Sequence, residues 1–133
     1  MPLPTSFAEL IASRRRWLEQ ELQPWCLQAS RRDLVRAELE WLDIAGKVDA
    51  DKTLWYWAWS RFPALVHEHL VAIDESRRVT VRLRNGETHT GHPDSRQSRQ
   101  GQLVLLCLAD PTSRRYEDRG PFSIDDIAEI SPA

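Results

Sequence analysis

Cysteine is scarce in this chain: Cys26 and Cys107 are too few to build a disulfide framework across 133 residues. Lysine is scarcer than its charge class would suggest, with only Lys47 and Lys52 beside sixteen arginines. Codon composition accounts for that bias without invoking a function. A net charge of −2 excludes a global pull toward nucleic acid or an anionic membrane. Glycine occurs five times, at 46, 86, 91, 101 and 120, and this scatter makes no phosphate-cradling loop. No apolar run approaches the length needed to span a bilayer. The opening MPLPTSFAELIASRRR places an amphipathic stretch before its charges, the reverse of a secretory signal. Reduced thiols, no membrane association and a cytoplasmic location are the expectations.

Tryptophan, by contrast, is plentiful. Six tryptophans and an apolar share of 41% can build a core without staples. The length suits one domain spanning 1–133, mainly helical over 6–62 and antiparallel β over 65–130.

Ser6 followed by Glu9 is a capping box, and Phe7, Leu10, Ile11, Leu18 and Leu22 recur at helical spacing until Pro24 ends the run. Ser30 opens a second helix, with Leu34, Val35, Leu39 and Leu42 as its stripe and Gly46 as its stop. In LWYWAWSRF, Trp55, Trp57 and Trp59 alternate as in a strand, but Trp55 and Trp59 are also four apart as in a helix. Asp49 and Asp51 upstream and Pro63 downstream favour a short third helix.

After Pro63 the pattern turns to strands. LVHEHLVAI is rich in β-branched residues, and VTVRLRN puts Val79, Val81 and Leu83 on one face. Asn85-Gly86 signals a two-residue hairpin with positive φ at both positions. HPDSRQSRQG lacks large apolar residues and reads as a flexible, solvated loop. QLVLLCLAD reads as a strand covered on both faces, and FSIDDIAEI closes the sequence pattern. The expected class is α+β: a helical hairpin and short third helix packed on a small antiparallel barrel or strongly bent sheet.

Within Val79 to Ile130, VTVRLRNG, ETHTG, the apolar LVL strand and the closing SIDDIAEI follow one another in an order that resembles the Sm-like family of small barrels. Rho-binding antiterminator proteins and ligand-sensing WYL domains are similar in this respect. The resemblance covers roughly the last two-fifths of the chain and implies a bent barrel. The tyrosine-centred motif of the WYL family and the paired RNA-contact motifs of Sm proteins are missing, so no site residue carries over.

Candidate chemistry is sparse. His67 with His69 would share one side of a strand, and His89 with His92 follow in the next hairpin, but no cysteine or glutamate completes a zinc set. Asp125 and Asp126 are neighbours that diverge in direction and make no acid/base pair. Ser95 beside His92 lacks a supported nucleophile turn. We therefore expect no catalytic set, no metal and no cofactor.

Three binding readings are weighed. Exposure of some of Trp25, Trp55, Trp57 and Trp59 would make an interaction module for a protein partner or a homodimer. Alternatively, Arg82, Arg84, Arg96 and Arg99 would form a phosphate-binding patch for RNA, unless the acidic closing segment neutralises it. A small-ligand sensor in the barrel mouth is the third reading. The first is preferred.

Overall fold

A computed structural model describes residues 13, 15–41, 49–67, 70–110, 112 and 114–133. The Ser6–Glu9 capping box, Gly46 and His69 lie outside them.

The first helix does not end at Pro24. Helical structure continues from residue 15 through a π-helical turn, Leu18–Leu22, into α1, Gln23–Gln28. The Gln23 N–H donates to the Leu18 carbonyl, five residues back. Such a widened turn just ahead of proline makes room for the ring, which cannot donate to the carbonyl four residues earlier. Ser30 caps α2, Arg31–Leu39, accepting the Asp33 N–H at 3.2 Å. The tryptophan segment is helical, as α3, Leu54–Trp59. Asp49 acts on the turn before it, its Oδ1 accepting the Asp51 N–H at 2.9 Å.

Two strands, β1 (Val66–His67) and β2 (Leu70–Ile73), form a small hairpin in which His67 pairs with Leu70. LVHEHLVAI thus contains two paired strands. The main sheet has five antiparallel strands: β3 (Val79–Leu83), β4 (Thr88–Pro93), β5 (Gln102–Leu108), β6 (Tyr116–Ser123) and β7 (Ile127–Pro132). Their order is β6-β5-β4-β3-β7, so among the described residues β6 and β7 are the outer strands and the sheet is open between them.

The β3–β4 hairpin forms where Asn85-Gly86 predicts it, but with a longer turn. The register pairs Arg82 with Thr88, and Leu83 N–H donates to Glu87 O, which leaves residues 84–86 as the connection. Only Gly86 takes a positive φ, 95°, and Asn85 does not. This is the three-residue class with a left-handed glycine after a type I turn. Strand β4 then changes partner at Gly91: residues 88–91 pair with β3, whereas His92 and Pro93 pair with Leu106 and Leu105 of β5. A Cβ at Gly91 would lie 2.4 Å from the Leu106 carbonyl oxygen, so a side chain there is incompatible with this bend.

One core joins helices to sheet, containing Leu34, Leu54, Trp55 and Trp59 together with Val79, Val81, Leu103, Leu105, Ile124 and Ile127. Polar bonds reinforce it. The Arg31 N–H, at the positive end of α2, donates to Asp125 Oδ1 at 2.8 Å. No helix among the described residues is long and apolar enough to cross a membrane.

Candidate interaction face

Strand β5 is not covered on both faces along its length. Leu103, Val104 and Leu105 are buried, but beyond them Cys107 alone turns inward while Leu106 and Leu108 are 39% and 41% exposed. The loop from Asp94 to Ser98 covers the outer face at Val104, whose N–H donates to Ser98 Oγ at 2.8 Å, and beyond it meets β6 through Gln97 and Asp118, leaving Leu106 and Leu108 exposed. That loop is structured by its own bonds: Asp94 Oδ1 accepts the N–H groups of Arg96 and Gln97 at 3.0 and 3.2 Å.

Tyr116 opens β6 opposite Leu108 and is 59% exposed. Directly opposed residues share a face, so Leu108 and Tyr116 form an outward apolar pair, with Leu106 in the next outward position of β5. Strand β6 is the outer strand, so this apolar strip ends at an open edge. The charges Glu117, Asp118 and Arg119 follow on the same strand. Arg119 donates to Glu117 Oε1 at 2.9 Å, and Gln97 Nε2 donates to Asp118 Oδ2 at 3.0 Å.

The tryptophans proposed as surface contacts are distributed otherwise. Trp55 and Trp59 are only 4% and 3% exposed, because their spacing of four puts both on the inner side of α3. Trp55 Nε1 donates to Glu38 Oε2, and the Trp59 ring packs 6.4 Å from that of Phe62. Neither side chain offers contact surface in this fold. Trp57 is half-buried, edge-on to Trp41 at 6.5 Å, and Trp25 is half-buried beside the exposed Trp17 in a shallow groove.

The arginines separate into two sets. Arg82 Nη2 pairs with Glu129 Oε2 at 2.9 Å, and Arg84 Nε donates to the Asp125 carbonyl at 2.8 Å. Both thus turn to the acidic closing segment. Arg96 and Arg99 lie in the β4–β5 loop, where Arg99 Nε donates to the Arg96 carbonyl at 3.1 Å. Arg99 also borders a cleft of about 200 Å³ with Trp55, Tyr56 and Trp59. Small-molecule sites usually occupy roughly 300–1,000 Å³.

Among the described residues His89 and His92 turn to different partners. His89 Nε2 stands 3.5 Å from Glu87 Oε2 with its ring 4.7 Å from Phe122, whereas His92 Nδ1 meets the Glu75 carbonyl at 3.1 Å. Among the described residues no three His, Cys, Asp or Glu side chains are grouped to hold a metal. Cys26 and Cys107 are unpaired and buried. Burial pushes the Cys26 thiol up to about 12 against the opposing pull of the Arg61 guanidinium, and raises the Cys107 thiol as well.

The strip of Leu106, Leu108 and Tyr116 is the feature that sequence reading missed. The available signal was the composition of YEDRG, polar on both faces, which marks an outer strand and so the end of cover for β5. Comparison with protein-family models, with curated proteins and with solved structures finds no match to this chain.

Proposed function

We propose that this chain is a non-enzymatic protein-interaction module that self-associates through the outer face of β5 and β6. The supporting observation is the apolar strip of Leu106, Leu108 and Tyr116 ending at an unpaired strand edge. Apolar side chains beside open backbone groups are the two ingredients of strand addition. The strand order is also read as Sm-like, with the sheet open between β6 and β7. That reading rests on the element order from Val79 to Ile130 and the return of β7 beside β3, and the interaction reading does not depend on it.

Sedimentation equilibrium over a concentration series tests the module. Wild type is expected to dimerise with concentration, and Leu108→Glu, which places a charge on an already exposed position, is expected to remain monomeric and folded. A wild-type chain that stays monomeric throughout overturns self-association.

A further inference from the structure

Resting on that reading, we infer that the partner is a second copy of this chain, added antiparallel to β6 about a two-fold axis at Tyr116. The argument begins with which backbone groups are open. Ala109 N–H donates to the Arg115 carbonyl at 3.0 Å, and the register then pairs Cys107 with Glu117 and Leu105 with Arg119. In an antiparallel ladder, bonded and non-bonded pairs alternate. Arg115, Glu117 and Arg119 therefore direct their backbone groups to β5, whereas Tyr116 and Asp118 direct theirs outward from the sheet.

A two-fold axis makes the central residue face its own copy. Across Arg114 to Arg119 the sequence is Arg-Arg-Tyr-Glu-Asp-Arg, and Tyr116 is its single uncharged residue. Registers centred on Arg115, Glu117 or Asp118 each set a charge against itself. Centring on Tyr116 instead places Arg115 opposite Glu117 of the second copy and Arg114 opposite its Asp118. Both pairs occur twice by symmetry, so the four charges flanking Tyr116 from Arg114 to Asp118 each meet an opposite charge, and Arg119 lies beyond them. Opposite charges directly across an antiparallel pair stabilise it, and like charges destabilise it.

The same register satisfies backbone and side chains together. Tyr116 and Asp118 present the open N–H and C=O groups that this pairing uses. Tyr116 also shares its face with Leu108, so pairing joins Leu106, Leu108 and Tyr116 of both copies into one apolar strip across the axis. The bond between Arg119 and Glu117 is between side chains 35% and 47% exposed, and such a surface pair exchanges partners at little cost.

Two charge-reversal variants and their mixture test this register. Arg114→Glu/Arg115→Glu makes the segment wholly acidic at its paired charges, and Glu117→Arg/Asp118→Arg makes it wholly basic. Each alone is expected to dimerise at least about tenfold more weakly than wild type, and a 1:1 mixture to recover association, since every cross-pair is then complementary. Independently, Tyr116→Cys is expected to give a covalent dimer with a short bismaleimide, whereas Glu129→Cys on the opposite edge is not. Wild-type dimerisation with unaltered charge variants, or with no Tyr116→Cys dimer, overturns the register and leaves self-association standing. A strictly monomeric wild type overturns both.

Discussion

Arg61 Nη2 stands 2.8 Å from the carbonyl oxygen of Cys26, thirty-five residues earlier in the chain, and the same nitrogen reaches the Ala29 carbonyl at 2.8 Å. The last carbonyls of a helix have no partner within it, and here an arginine beyond the end of α3 supplies one. Arg61 Nε also donates to Ala58 O at 2.9 Å, so one planar group ties α1 to α3.

Arg61→Ala is therefore expected to destabilise the fold by roughly 1–3 kcal/mol, measured by urea unfolding, because part-buried carbonyls lose their donor. Arg61→Lys is expected to recover only a fraction, since an ammonium lacks the fork.

Two glycines separate by mechanism. Gly91→Ala sets a methyl 2.4 Å from the Leu106 carbonyl and 2.7 Å from Cys107 Sγ, so the β4–β5 pairing must move. A cost of about 1–3 kcal/mol is expected, with altered amide shifts along β5. Gly86→Ala meets nothing within 4 Å, and its cost arises from φ of 95° alone. That cost should be about 1–2 kcal/mol, with shifts confined to the turn.

Both thiols should be silent toward alkylating reagents at mildly alkaline pH in the native protein and reactive in urea. The Cys26 thiol ionises near 9.0 in an unfolded chain but is held up to about 12 by burial. Its contribution to stability is full below pH 9 and is lost as pH rises toward 12, because the unfolded state releases its proton first. Urea midpoints that do not fall in that window would contradict the assignment.

Asp74 gives the opposite sign. Its carboxylate is buried, and the Ser76 hydroxyl and N–H hold it below the usual 3.8, with Oδ1 accepting the N–H at 2.9 Å. That stabilisation is full above the ordinary carboxylate range and declines as pH falls through the lowered value. Asp74→Asn is expected to cost roughly 1–3 kcal/mol at neutral pH and to flatten the acid limb of a stability–pH profile.

Much of the architecture was legible because local rules agreed with tertiary need. Ser30 caps α2, the alternation of Val79, Val81 and Leu83 marks the inner face of β3, and Trp55 with Trp59 marks the inner face of α3. Pro24 misled because a π-helical turn lets the helix absorb it. Asn85-Gly86 indicated the hairpin, but the turn length follows from the pairing of Leu83 with Glu87, a register that the dipeptide alone does not determine. The candidate site was hidden for a related reason. An apolar run in β5 shows where side chains prefer to be buried, not how far the Asp94–Ser98 loop extends to cover them.

Amide hydrogen exchange at Tyr116 and Asp118 over a range of protein concentrations tests the central claim most directly. Self-association through β6 predicts that these two outward amides slow as concentration rises, while Glu117 and Arg119, already directed at β5, change little. Fast exchange at Tyr116 and Asp118 that is independent of concentration would contradict it.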